Sequence, residues 1–288
     1  VIPRFDPLRL MSGIAGHRAR VFVHILKLVR MAIRSVRMAN KTDIIGSLAK
    51  GLQVLECFGS DRPRLSIAEV ASLTGQDRAS ARRCLLTLHH IGYAAYDGKY
   101  FSLTPRVLRL GMGALAALPL PQIVQPWLDQ LSEQIGQSCS VSMLDDTEIV
   151  YLARAAQRRG MSIGLMPGSR LPAHCTSMGR VLLAALPEQQ ARAVIDASDL
   201  TPRTVHARHD PTEIMAEIAR VRVQGFAVID QEVELGLRSL AVPIMDAKGR
   251  VVAALNIGMA SLHATPTELR DTYLPALLKV QEGLRRVL

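Results

Sequence analysis

Three arginines crowd into Asp77-Arg78-Ala79-Ser80-Ala81-Arg82-Arg83. Guanidinium groups this close, on a short helix, suit phosphate oxygens and the acceptor edge of guanine. A second cluster, Gly168-Ser169-Arg170-Leu171-Pro172-Ala173-His174-Cys175-Thr176-Ser177, gathers hydroxyls, a thiol and an imidazole just ahead of an apolar helical stretch. Free N–H groups and hydroxyls at a helix start can hold a carboxylate. They can equally be a plain helix cap, through Thr176 or Ser177. A third set, His206, His209 and Asp210 with Ser239, has the residue types of a hydrolase. No nucleophile elbow, metal spacing or phosphate loop accompanies it, so catalysis is not expected. The four cysteines, Cys57, Cys84, Cys139 and Cys175, have neither CxxC spacing nor histidines at zinc-ligand spacing. Reduced thiols in a cytoplasmic protein follow, with no metal and no cofactor.

The arginines need a helix to present them. Ser66-Ile67-Ala68-Glu69 is a capping box opening a helix that ends at Gly75, and Asp77 caps the next helix. On that second helix Ala81, Cys84, Leu85 and Leu88 form the inward stripe, leaving Arg78, Ser80, Arg82 and Arg83 outward. Arg82 and Arg83 diverge by about 100° around the axis, so one suits a base edge and the other a phosphate. Tyr93 to Leu103 reads as a hairpin turned at Asp97-Gly98, with Lys99 at its tip for phosphate or minor groove. A preceding helix repeats Leu48, Leu52 and Leu55 behind Ser47 as N-cap and ends at Gly59. Helix–turn–helix plus hairpin is a winged helix–turn–helix over residues 44–104, a shape that lays one helix in a DNA major groove.

Charge follows the same division. Residues 46–110 carry nine basic and five acidic side chains, whereas 111–288 carry seventeen and eighteen. A basic head on an electroneutral body fits a DNA reader joined to a sensor. Residues 1–43 form a basic extension with eight Lys/Arg among the first forty residues. It could be an arm on phosphates or a membrane-surface helix; the preferred reading is sequence upstream of a true start at Met31 or Met38. No apolar run is long enough for a membrane span.

Beyond the head, residues 105–120 read as a small-residue linker helix ending at Pro119 and Pro121. Residues 121–288 then supply a helix at 123–135, strands at 139–144, 148–153, 161–165, 225–230, 240–245 and 250–257, and helices at 176–185, 187–197, 211–223 and 266–287. The whole is α+β. Arg154 is expected to pair at the surface with Asp145 or Asp146, with an acidic ligand as its other possible partner. Glu232 and Glu234 are expected in solvent, and Asp230 in a pocket.

The winged head, the linker, Gly168 to Arg180, Leu235-Gly236-Leu237-Arg238-Ser239-Leu240-Ala241-Val242-Pro243 and Gly249-Arg250-Val251-Val252-Ala253-Ala254-Leu255-Asn256 together resemble the IclR family of bacterial transcription regulators. The resemblance runs through both domains, over residues 46–288. Within the family, Arg78 to Arg83, Ala173 to Arg180 and Asp230 to Ser239 resemble the subgroup controlling aromatic-acid breakdown. The resemblance implies a GAF-like effector domain, a small organic acid as effector (aromatic or dicarboxylic), a double-stranded DNA operator, and a homodimer or dimer of dimers. A regulator of an unrelated operon with a non-aromatic effector is the alternative. Candidate DNA contacts are Ser66, Arg78, Ser80, Arg82, Arg83 and Lys99. Candidate effector contacts are Arg154, Gly168, Ser169, His174, Cys175, Thr176, Ser177, Asp230, Ser239 and Asn256. Asn256 and Gly258 stand where some members carry two hydroxyl residues, which argues against a two- or three-carbon keto acid.

Overall fold

The computed structural model describes residues 44–59, 62–156 and 164–288. The basic extension and most of the strand expected at 161–165 lie outside these residues. The described chain falls into two compact units that divide at Leu118.

The first unit contains helices α1 (Gly46–Glu56), α2 (Ile67–Thr74) and α3 (Arg78–His90), and strands β1 (Ala94–Tyr96) and β2 (Phe101–Leu103). Local chemistry sets its turns. The Ser66 hydroxyl accepts from the Glu69 amide at 3.3 Å, and the Ser66 amide donates to the Glu69 carboxylate at 2.7 Å. Gly75 closes α2 in the left-handed region, at φ 66°. Asp77 caps α3 by accepting from the Ser80 amide at 2.8 Å. In the wing loop, Asp97 accepts from the amides of Lys99 and Tyr100 at 2.9 and 2.7 Å. Gly98, at φ 100°, makes the reversal that a side chain would strain. Val54, Leu65, Val70, Ala81, Leu85 and Phe101 close over one small core. Two expectations shift: Ser47 lies inside α1, whose N-cap is Ile45 without a side-chain bond, and α1 ends at Glu56 rather than Gly59.

A 3₁₀ turn (Pro105–Val107) leads into α4 (Leu108–Ala117). Helix α5 (Pro119–Ile135) starts four residues earlier than the expected Ile123, because Pro119 begins it instead of merely ending its predecessor. A proline at the first helical position loses no hydrogen bond.

The second unit is built on an antiparallel sheet of order β5-β4-β3-β8-β7-β6. Its strands are β3 (Ser138–Asp145), β4 (Glu148–Ala155), β5 (Arg170–Pro172), β6 (Ala227–Asp230), β7 (Leu237–Met245) and β8 (Val251–Ala260). Helices α6 (Ser177–Ala184), α7 (Glu188–Ala197), α8 (Pro211–Gln224) and α9 (Pro266–Arg285) complete it. Residues of α5 and α9 pack over one face with Cys139, Val141, Leu255 and Ile257. Residues of α6 and α8 pack over the other with Tyr151, Ala241 and Ala254. This is the α+β architecture expected of the chain, and strand alternation assigns each side chain to a face.

Candidate functional sites

In the first unit, α3 holds Arg78, Arg82 and Arg83 exposed on the side away from Ala81, Leu85 and Leu88. The Arg83 guanidinium lies 3.4 Å from the Ser80 hydroxyl. Ser80 itself is buried, at 5% exposure, contrary to expectation. It faces inward with Ala81 and supplies the amide for the Asp77 cap, so it shapes the helix rather than its outer surface. Ser66 is half-buried, its amide and hydroxyl engaged by Glu69, which makes it the cap of α2. Lys99 is exposed on the wing loop, with Nζ 5.0 Å from the centre of the Tyr100 ring. Arg64, missed in the sequence, stacks over the same ring at 5.1 Å and pairs with Asp97. The Leu65–Phe101 bridge ties its segment to the wing. Arg64 is thus a further cation beside Lys99.

In the second unit, the face beneath α6 carries a polar row. Ser140 on β3 pairs in register with Arg154 on β4 and with Asn256 on β8. Directly paired residues share a face, so the three lie side by side across adjacent strands, about 10 Å from end to end. The Arg154 guanidinium donates to the Ser140 hydroxyl at 3.1 Å. It is half-buried, and burial pulls its pKa below the usual arginine value. The surface pairing expected for Arg154 does not form: Asp145 belongs to Arg170, at 2.8 Å, and Glu148 holds the same guanidinium at 2.6 Å. Among the described residues, the buried Asn256 Oδ1 has no hydrogen-bond partner, and neither does the buried Ser177 hydroxyl at the start of α6. Ser239 is buried on β7 in the same face, two residues before Ala241. Buried polar atoms are normally paired, so unsatisfied ones call for an explanation, of which a bound molecule is one. A cation, hydroxyls and an amide in a row can bind a carboxylate and a second polar group.

The other expected residues have different duties. Thr176 is the N-cap of α6, accepting from the Gly179 amide at 3.1 Å and donating to the Pro172 carbonyl at 3.1 Å. Cys175 is buried in the α6 core, where burial pushes its thiol to about 11. The Gly168 amide donates to the Tyr151 carbonyl at 2.7 Å, and the Ser169 carbonyl accepts from the Tyr151 amide at 2.9 Å, laying the loop along β4. The Ser169 hydroxyl accepts from the Met166 amide at 3.0 Å. Asp230 lies on the opposite sheet face, since Ile229 joins the α6 core and its neighbour Val228 packs against the other. There Arg238, at 2.6 Å, holds its carboxyl below the usual range. Asp230 therefore stands outside the row. Asp210 caps α8 through the amides of Thr212 and Glu213, at 2.8 and 2.9 Å.

Glu232 corrects a further expectation. It is buried at 1% exposure, where polar neighbours suggested solvent; Glu234 is half-buried. Arg180 grips the Glu232 carboxylate with both terminal nitrogens, at 3.0 and 2.6 Å, and the Arg208 guanidinium completes the cluster. Ser140 escaped the sequence reading as well. Its signal was the alternation Ser138-Cys139-Ser140-Val141-Ser142, small hydroxyls on one face and apolar groups on the other.

Comparison with known proteins names the architecture. The family model for the bacterial transcriptional regulator IclR C-terminal domain matches residues 112–285, and that for the IclR helix–turn–helix domain matches 47–98. The chain belongs to the IclR family of transcriptional regulators. It is 44% identical over 243 residues to the Pca regulon regulatory protein of Pseudomonas putida, covering 84% of each chain. It is 38% identical over 250 residues to the p-hydroxybenzoate hydroxylase transcriptional activator of Acinetobacter baylyi, covering 85% of this chain and 92% of the relative. Among solved structures, the inducer-binding domain of the Acinetobacter PobR transcription factor, a double mutant bound to 3-hydroxybenzoic acid, matches with TM-score 0.56 at 32% identity, covering 58% of this chain and 98% of that one. The IclR match assigns the winged unit to DNA and the sheet unit to a small-molecule effector. Among the described residues, no helix is long and apolar enough to cross a membrane.

Proposed function

We propose that this chain is a cytoplasmic regulator of an aromatic-acid catabolic operon, acting by binding rather than catalysis. Its effector is a hydroxybenzoate-type acid. Arg154 and Ser140 take the carboxylate, while Asn256 and Ser177 meet the ring hydroxyl. The observation that carries this reading is the Arg154–Ser140 contact beside the unpartnered Asn256 Oδ1 and Ser177 Oγ. The relatives named for the Pca regulon and for p-hydroxybenzoate hydroxylase support the substrate class.

The regulator works as a homodimer, or a pair of dimers, on a palindromic operator. Exposed apolar side chains on α1 (Leu48, Leu52) and α4 (Leu108, Leu110, Met112) support a second copy packing there. Each copy offers one α3 to a major groove. The effector shifts the balance between arrangements of the two copies, which requires that it bind one arrangement more tightly.

Calorimetry with 4-hydroxybenzoate tests the site. Wild type should bind, Arg154→Ala should lose about tenfold or more in affinity, and Asn256→Ala should weaken binding of 4-hydroxybenzoate more than of benzoate. Equal binding by wild type and Arg154→Ala would remove the row from the effector site.

A further inference from the structure

A separate cavity of about 530 Å³ opens at the far end of the β3–β4 hairpin. Thr147 and Glu148 from the hairpin turn, His174 ahead of α6, and Asp199, Thr201 and Arg203 after α7 contribute to its wall. Its size falls in the range of small-ligand pockets. Glu148 opens β4 and Arg154 comes six residues later, so the cavity and the polar row are separated by roughly 20 Å along the strand.

Charge and hydrogen bonding define what fits. Glu148 is held by Arg170 at 2.6 Å. Asp199 accepts from the Thr201 amide and hydroxyl at 3.0 and 2.6 Å. Both acids are thus engaged. The Arg203 Nε donates to the Val233 carbonyl at 3.3 Å, and among the described residues no carboxylate pairs with this guanidinium. His174 is buried at 2% exposure, and its Nδ1 has no partner among the described residues. Burial, and then the charge of Arg180, hold this imidazole below its usual pKa, favouring the neutral ring. A buried nitrogen left without a partner is unfavourable, and a ligand group that bonds it restores the lost hydrogen bond.

We propose that this cavity is a second ligand site, for a small monocarboxylate that also carries a hydroxyl. The carboxylate lies against Arg203 and the hydroxyl bonds His174 Nδ1. A second negative charge is disfavoured, because Glu148 and Asp199 stand in the wall. His174 and Ser177 flank the start of α6, so the two sites share one structural element without sharing a ligand.

The test uses the full chain with 4-hydroxybenzoate at saturation and 3-hydroxybutyrate as the probe. Calorimetry should show saturable binding, and the carbon–proton NMR signal of the His174 ring, assigned with His174→Gln, should move. Arg203→Ala, at an exposed position, should weaken 3-hydroxybutyrate by about tenfold while 4-hydroxybenzoate binding stays unchanged. Arg154→Ala should leave 3-hydroxybutyrate binding intact. No heat and no shift at millimolar probe would overturn the proposal, as would equal binding by Arg203→Ala or loss of binding in Arg154→Ala. Failure of 4-hydroxybenzoate to bind would count against the aromatic-effector reading alone, and the Arg203→Ala comparison would still decide the cavity.

Discussion

Arg180 and Glu232 stand 52 residues apart in the chain and meet as a bidentate pair inside the second unit. Their side chains are 0% and 2% exposed. Arg180 also donates from Nε to the His174 carbonyl at 2.9 Å, and the Arg208 amide donates to Glu232 at 3.2 Å. One cluster thus joins α6, the loop before it, the segment before α8 and the β6–β7 loop. Removing one member leaves a buried charge uncompensated, which typically costs about 3–5 kcal/mol. Glu232→Gln should therefore lower stability by that order in urea unfolding. Arg180→Met combined with Glu232→Leu should recover much of the loss, because a packed apolar pair carries no desolvation penalty. A Glu232→Gln cost under about 1 kcal/mol would show that the pair is not buried as described.

Gly179 is fixed by a close approach. A Cβ there would lie 2.1 Å from the Ala173 carbonyl oxygen, and backbone cannot move aside as a flexible side chain can. Gly179→Ala should destabilise the second unit by about 1–3 kcal/mol or more, seen as an earlier denaturant midpoint, although alanine is the better helix former. An unchanged midpoint would mean that the loop before α6 is not seated on the helix.

How much of this is legible without coordinates depends on reach along the chain. The capping box of Ser66 and Glu69, the Asp77 cap and the wing turn at Asp97-Gly98 involve partners within about four residues, and the sequence displays them directly. Glu232 misleads because it sits in an acidic stretch between Asp230 and Glu234 while its partners lie 24 and 52 residues away. Arg154 misleads for the same reason: Asp145 is near in sequence, but Arg170 takes it. Pro119 is ambiguous because proline both ends one helix and begins the next. The polar row is half-legible, since alternation exposes Ser140 whereas only sheet order sets it between Arg154 and Asn256.

Asp246 links stability to acid. It lies in the β7–β8 turn with its side chain 5% exposed. Burial pushes its pKa up, but hydrogen bonds from the Arg250 guanidinium, the Arg250 amide and the Lys248 amide outweigh this, so the pKa is lowered overall. A lowered folded pKa gives stability that is complete above the unfolded value of about 3.9 and is lost as pH falls through the folded value. Asp246→Asn should cost stability at neutral pH and shrink the difference in unfolding free energy between about pH 6 and about pH 3. An equal pH response in both proteins would assign the acid sensitivity to other carboxylates.

The recognition helix yields the sharpest separation. Arg82 and Arg83 are both exposed on α3, yet about 100° apart around its axis, so they cannot both face the same base edge. The Arg83 guanidinium is steered back toward Ser80, near the N-terminal end of the helix, and that end is the one which meets base edges in a helix–turn–helix. Arg83→Ala should therefore relax preference at one base pair by about 1–3 kcal/mol. Arg82→Ala should instead weaken all duplexes evenly and reduce the slope of log affinity against log salt by about one. Fluorescence anisotropy on the operator and its single-base variants, repeated across salt concentrations, distinguishes the two. If both variants lose affinity evenly with the same change in slope, both arginines serve phosphate and the base reading falls to Arg78, the first residue of the helix.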